Sequence, residues 1–239
     1  YILGISGGAA VGAIISIVAI SSLPFCVPLL AFLGAIFTVV LVFVIGGSGR
    51  RLNSNTLLLA GVIINAFFSA VIMFLVSISG SADLHSIAFW LMGDLSMVNP
   101  GEIILGGIFL LVGFFIVYAH ARTLNMIVVG EETALQLGIH VEKVKIILFL
   151  ASSVMTAVAV AFSGIIGFVG LIIPHIMRML LGSDHRLLLP ATFLFGASFL
   201  IIADTIARTI VPYTELPVGV ITAICGAPYF IYLLRRRVV

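Results

Sequence analysis

The sequence predicts an all-α fold: a polytopic membrane bundle of eight helical spans that forms a single domain over residues 1–239. Hydrophobic residues make up 62% of the chain and charged residues 8%, whereas ordinary globular domains are about 25% charged. So few charged side chains cannot cover the surface of a soluble protein of this size. A helix needs roughly 20 apolar residues to cross a bilayer, and its closed hydrogen bonding makes it the default. The segments that qualify, or nearly qualify, are 5–23, 28–47, 56–79, 102–121, 145–164, 168–182, 190–209 and 218–234.

The distribution of basic residues orients these spans. Eight spans place both ends of the chain on one side, and basic loops mark the cytoplasmic side. The opposite side carries Arg208 alone. Ten of the eleven basic residues lie in loops or ends on the first side: Arg50, Arg51, Arg122, Lys143, Lys145, Arg178, Arg186, Arg235, Arg236 and Arg237. Both ends are therefore predicted to be cytoplasmic. The sixth segment is short, and Gly167, Gly170 and Pro174 interrupt its start.

Two connections are long enough to contact partners. The outer connection, 80–101, has an amphipathic middle around Trp90, which predicts a short helix at the membrane interface with the tryptophan as its anchor.

The inner connection, 122–144, contains a short helical pattern between Gly130 and Gly138. Its helical periodicity places Ala134, Leu137, Gly138 and Val141 on one face. This face fits a groove on a cytoplasmic partner and equally fits a plain amphipathic surface helix, so both interpretations stay open here.

The chain lacks the sequence patterns of several enzyme classes. It has no GxxxxGK[ST] loop for nucleotide phosphates and no HExxH or CxxC metal pattern. The two cysteines fit no disulfide or zinc framework, and a net charge of +2 is too small to indicate nucleic-acid binding. We therefore predict no catalytic residues, no metal ligands and no cofactor in this chain.

Two alternatives use other residues. Gly4-Ile5-Ser6-Gly7 matches the GxSG string of intramembrane serine proteases, with His175 as the conceivable base, although four residues in a glycine-rich chain are a short match. An ion-coupled transporter would need acids at mid-membrane. Asp204 and Arg208 stand instead at the end of a span, where their spacing allows a local ion pair.

The order of several motifs resembles one family of ATP-binding-cassette (ABC) importer permeases. Gly130-Glu131-x-x-Ala134-x-x-Leu137-Gly138 resembles the coupling segment of such permeases. The longer runs at 163–178, 182–190, 203–208, 215–223 and 226–230 resemble the type II permeases that import iron–siderophore complexes, haem and cobalamin. The motif positions singled out are Pro174, His175, Arg178, Asp184, His185, Arg186, Asp204, Glu215, Pro217 and Gly219.

The resemblance implies a transport subunit rather than an enzyme. It implies two permease copies as a homodimer, two separate ATPase subunits that hold ATP and Mg²⁺, and an extracytoplasmic substrate-binding protein. The location implied is the cytoplasmic (inner) membrane of a bacterium or archaeon. The family fold has ten spans, so the first two are expected to be missing here. Ferric siderophore is the cargo expected, with haem, cobalamin and an oxyanion open.

The resemblance also assigns roles to particular residues. Arg208 is expected to dock an acidic side chain of the binding protein, against the alternative of internal pairing with Asp204. The loop leading into the third span is expected to form an inner gate, although the same polar residues are also preferred helix caps. The ATPase-coupling residues are Glu131, Glu132, Ala134, Leu137 and Gly138, and the gate residues are Asn53, Ser54, Asn55 and Thr56.

Overall fold

The computed structural model describes residues 3–19, 25–46, 54–96, 98–211 and 215–237, and the all-α prediction is confirmed within these ranges. Eleven helices lie in this part of the chain. They are α1 (Ile5–Ala19), α2 (Cys26–Gly46), α3 (Ser54–Ile78), α4 (Ser81–Met92), α5 (Pro100–Ala119), α6 (Ala121–Val129), α7 (Glu131–Gln136), α8 (Val141–Ser163), α9 (Val169–Leu181), α10 (His185–Thr209) and α11 (Val218–Arg237).

Five helices in the described ranges are long and apolar enough to cross a membrane: α2, α3, α5, α8 and α10. At most 33% of each spanning window is buried inside the protein, so most of its side chains face outward, where lipid would cover them. Helices α1 and α9 coincide with predicted spans but have 15 and 13 residues. A helix of 13 residues is only about 20 Å long, and the count of eight spans therefore remains a prediction.

Helix α1 is the centre of the N-terminal half, since it packs on α2, α3, α4 and α8. Its glycines allow this contact. A side chain at Gly12 would overlap the carbonyl of Leu30, and one at Gly8 would overlap Thr38 and the carbonyl of Gly34. Small residues of this kind let helix backbones approach closely, which supports tight packing as the reason for the glycines.

The C-terminal half is built on α10, which packs on α9 and α11. Ala203 and Ala207 of α10 are buried with Val218 and Ile221 of α11. Leu95, from the connection after α4, packs against the same cluster. The C-terminal end of α10 therefore lies beside α4, and we call this side of the bundle the α4 end.

Helix α4 lies within the predicted outer connection, but it is bound to the bundle. Trp90 packs against the buried cluster of α1, α2 and α8, a contact that the anchor prediction did not include. The carbonyl of Trp90 accepts from Ile165 N–H at 3.3 Å, and Asp94 N–H donates to Ser163 O at 2.9 Å. Gly164 adopts φ +65°, and a side chain there would overlap the Trp90 carbonyl. Glycine at 164 therefore lets α4 reach the end of α8.

Candidate functional site

The predicted coupling segment forms the six-residue helix α7, between Gly130 and Gly138. Gly138 adopts φ +82°, a conformation that costs other L-residues roughly 1–2 kcal/mol. Its N–H donates to Leu135 O at 2.9 Å, and Ile139 N–H donates to Ala134 O at 3.1 Å. These bonds end the helix and turn the chain into α8.

The face predicted for this segment is divided in the structure. Ala134 and Val141 are buried at 0% and 2% exposure, whereas the Leu137 side chain is 65% exposed and Gly138 is exposed. Leu135, which the periodicity assigned to no face, is 56% exposed. The four residues therefore do not form one exposed face, because Ala134 and Val141 pack inward, and the assignment of this segment to ATPase coupling stays a prediction. The exposed apolar pair is Leu135 and Leu137.

Two acidic residues open α7, and they differ in their contacts. Glu131 Oε2 lies 2.7 Å from Lys145 Nζ, and Lys145 also lies 3.8 Å from Glu142 Oε1. Glu132 is exposed. The Glu131–Lys145 pair ties α7 to α8, a contact that the sequence did not indicate.

Helix α6 joins α7 to α10 through Asn125, which sequence reasoning missed. Asn125 bonds Asp184 and His185, two of the motif residues, at the start of α10. Two hydrogen bonds hold the pKa of Asp184 below its ordinary value of 3.8. The larger effect comes from the Arg186 backbone N–H and the smaller one from the Asn125 side-chain amide. Asp184 is thus an ionised cap at the helix start. The neighbouring Arg186 is exposed.

At the α4 end, Arg208 Nε donates to Asp204 Oδ2 at 2.8 Å. The internal pair that was weighed against docking is therefore present. The Arg208 side chain is still 38% exposed, and the guanidinium has further donors on its two terminal nitrogens. The geometry is compatible with both roles.

A cavity of about 480 Å³ lies at the same end. Four carboxylates line it, from Asp83, Asp94, Glu102 and Glu215. Glu102 is only 4% exposed, and its Oε2 accepts from Asn99 N–H at 3.0 Å. The buried acid therefore caps the start of α5.

The remaining motif residues do not form one site. Pro174, His175 and Arg178 lie on α9. Gly219 lies in the first turn of α11, and Glu215 and Pro217 lie in the segment directly before that helix. The His175 ring is 6.3 Å from the ring of Tyr229. A side chain at Gly219 would overlap the carbonyl of Met92, the last residue of α4. The close approach of α4 therefore requires glycine at this position.

The structure does not bring the protease pair together. Ser6 is buried at 5% exposure on α1, which packs on α2, α3, α4 and α8. His175 faces Tyr229 of α11, and α9 packs on α10 and α11. Within the described ranges, these contacts do not place His175 as the adjacent base that activation of Ser6 would require.

The predicted gate is only partly within the described residues. Asn53 and the side chain of Ser54 lie outside them, and α3 begins at Ser54. Asn55 and Thr56 lie in the first turn of α3, which fits either a gate or a helix start. The gate assignment stays a prediction.

Comparison with known proteins decides the family, because the protein-family model described as "FecCD transport family" matches residues 1–236 of this chain. The chain belongs to the FecCD transport family. It is 43% identical, over 99% of its length, to a cobalamin import system permease protein, BtuC, of Halobacterium salinarum. It is 39% identical, over 99% of its length, to the hemin transport system permease protein HmuU of Yersinia pestis.

A solved structure gives the same result. The structure described as "An inward-facing conformation of a putative metal-chelate type ABC transporter" matches with a TM-score of 0.91 and 32% identity, over 99% of this chain and 75% of the other. The chain spans 63% of the Halobacterium relative and 72% of the Yersinia relative. With its apolar helices, the family makes this a multi-pass protein of the cell membrane.

Proposed function

We propose that this chain is the permease subunit of an ABC importer for a large metal chelate. The observation that carries the proposal is the family match over residues 1–236, which the bundle geometry supports with its TM-score of 0.91 to a metal-chelate type ABC transporter. Ferric siderophore is the cargo expected from the motifs. The names of the relatives favour cobalamin or haem, so all three are candidates.

The chain acts as a transport component, and ATP with Mg²⁺ is held by two partner ATPase subunits. Helix α7 contacts them. Leu135 and Leu137 present exposed apolar side chains, and Glu132 supplies an exposed charge beside them. Ala134 contributes by seating the helix on the bundle. Glu131 contributes through Lys145, and Gly138 through its turn.

The binding protein docks at the α4 end, which is extracytoplasmic in the orientation predicted from the basic loops. Arg208 is the basic contact there, on a surface where a cavity lined by four carboxylates also opens. A charge at an interface rim mainly sets orientation and association rate. A second permease copy completes the pathway as a homodimer, and residues 53–56 form its inner gate. Both ends of the chain are cytoplasmic.

Cargo uptake into proteoliposomes tests this function. The permease containing this chain is reconstituted with its ATPase and binding protein, and radiolabelled cobalamin, haem and ferric siderophore are compared. ATP-dependent uptake of one of the three supports the proposal, whereas absence of uptake for all of them contradicts it. Ser6→Ala is the control against the protease alternative, since it should leave uptake largely intact.

A further inference from the structure

The junction between α6 and α10 depends on one amide side chain. Asn125 Nδ2 donates to Asp184 Oδ1 at 2.7 Å. Its Oδ1 accepts from the backbone N–H of His185 at 2.9 Å and lies 2.6 Å from His185 Nδ1. The Asn125 amide therefore donates to the Asp184 carboxylate and accepts from His185, both at the start of α10. Aspartate could not do both, because its second oxygen would face the Asp184 carboxylate.

Helix α6 leads directly into the coupling helix. The two are separated by Gly130 alone, and backbone bonds continue across it. Gly130 N–H donates to Met126 O at 3.4 Å, and Ala134 N–H donates to Gly130 O at 3.0 Å. Helix α6 packs on α7 and also on α10. A displacement of α7 therefore reaches α6, and Asn125 is where α6 is bonded to α10.

Helix α10 then crosses the bundle. Its 25 residues extend about 37 Å at 1.5 Å per residue. Asp184 and His185 stand at one end, and Arg208, in the ion pair with Asp204, stands in the last turn at the other. The helix thus joins the α7 side of the bundle to the α4 end, where we place docking of the binding protein.

We propose that Asn125 is a positioning residue for transport, which couples movement of α7 to α10 and so links the ATPase side to the docking side. This inference rests on the proposed function. Linked sites change each other's affinities by a common factor, typically 5- to 150-fold. The quantity that reports the link is therefore the factor by which ATP changes the affinity for the binding protein.

The test measures that factor for Asn125→Ala. The permease is assembled with hydrolysis-deficient ATPase subunits in nanodiscs, and the Kd of the loaded binding protein is measured with and without ATP. We expect Asn125→Ala to reduce the factor by which ATP changes this Kd at least about fivefold, towards a value of one. A fivefold effect is the lower end of ordinary coupling. A residue that only stabilised the fold would alter both Kd values and leave their ratio unchanged, and a wild-type ratio in the assembled variant overturns the proposal.

Two matched variants sharpen the result. Asp184→Asn keeps an acceptor for Asn125 and for Arg186 N–H, so the factor should remain close to that of the wild type. Thr123→Ala alters a polar side chain on the same helix for which no bond to α10 is found among the described residues, and it should also be neutral. Loss of the factor in Thr123→Ala would assign the effect to α6 in general and contradict a role of Asn125.

A crosslink covers the case in which Asn125→Ala does not assemble. Asn125→Cys and Asp184→Cys are combined with replacement of the native Cys26 and Cys225 by serine. A short bis-methanethiosulfonate reagent then links the two helices reversibly. The crosslinked protein should keep the factor and the reduced protein should lose it, while equal factors overturn the proposal. If the wild-type permease neither binds an ABC ATPase nor transports with ATP, the proposed function fails first and this inference falls with it.

Discussion

Glu131 Oε2 lies 2.7 Å from Lys145 Nζ, and this contact joins the first residue of α7 to the start of α8. Helix α7 is thus held on two sides, by this pair and by its continuity with α6. Glu131 is 53% exposed and Lys145 is 20% exposed. Exposed ion pairs of this kind contribute about 0.2–1 kcal/mol, so the pair orients α7 more than it stabilises the protein.

Reversing the Glu131–Lys145 ion pair should show whether it acts by orienting α7 or by stabilising the protein. Glu131→Lys or Lys145→Glu alone should reduce ATP-driven uptake, while the free energy of unfolding changes by less than about 1 kcal/mol. The double variant Glu131→Lys/Lys145→Glu should recover much of the uptake, because the opposite charges are restored. Uptake that the double variant fails to recover would show that the charge at 131 contacts the ATPase directly.

Gly138 should tolerate asparagine but not valine. Because its φ is +82° and no atom lies within 4 Å of an added Cβ, the cost of substitution is in the backbone. That cost is roughly 1–2 kcal/mol for an L-residue and is smallest for asparagine. Gly138→Val should displace α7, lower cargo uptake about tenfold and leave ATP hydrolysis running.

The measurement is the number of cargo molecules imported per ATP hydrolysed, with expression and assembly checked in parallel. Gly138→Asn is the matched control and should stay within about twofold of the wild type. Normal stoichiometry in Gly138→Val would remove the turn at Gly138 from the coupling mechanism.

Arg208 should control how fast the binding protein docks. Arg208→Ala should slow association about tenfold at low ionic strength and weaken its salt dependence, because rim charges act mainly on the association rate. Asp204→Ala is the matched variant, since it removes the internal partner and leaves the arginine. Association rates can be followed by stopped-flow fluorescence. Equal slowing by both variants would indicate that the pair is structural and that Arg208 does not dock.

Two glycines should respond oppositely to alanine. Gly12→Ala places a methyl group against the Leu30 carbonyl and should destabilise the α1–α2 contact by about 1–3 kcal/mol. Gly196→Ala, in the middle of α10, meets open space and should stabilise by roughly 0.5–1 kcal/mol through helix propensity. Reversible unfolding in detergent micelles measures both. A neutral Gly12→Ala would contradict close packing of the first two helices.

Acid should remove the contribution of Asp184. Its pKa is held below 3.8 in the folded protein, so ionised Asp184 stabilises the fold above the pKa of the unfolded chain, and this stability is lost as the pH falls through the lower folded value. Asp184→Asn should therefore have a lower Tm than the wild type at pH 6. The difference should shrink below pH 3.8, and a constant difference down to pH 3 would contradict the cap.

Much of the fold could be predicted because helix formation in an apolar run depends on local sequence. Each of the eight segments contains a helix, and the glycines at 130 and 138 correctly bound α7. The face of a helix that packs inward is not a local property. Ala134 is small and apolar, which suits a docking face and a buried contact equally, and the structure buries it.

The residues that sequence reasoning missed act through partners distant in the chain. Asn125 bonds residues 59 and 60 positions away, and Trp90 packs against α1 and α8. Neither contact leaves a periodic or spaced signal. Glu102 was detectable in principle, because Asn-Pro-Gly-Glu places an acid three residues after an N-cap residue, a recognised start signal for a helix.

The most direct measurement is cargo accumulation in proteoliposomes that contain the permease with or without its ATPase subunits. The cargo concentration is set higher inside the vesicles than outside, so that any further uptake is uphill. We propose that this bundle only opens and closes a pathway and that energy enters from a separate protein through α7. We therefore expect uphill accumulation only when the ATPase, ATP and loaded binding protein are all present. Uphill accumulation by the permease alone would contradict this proposal.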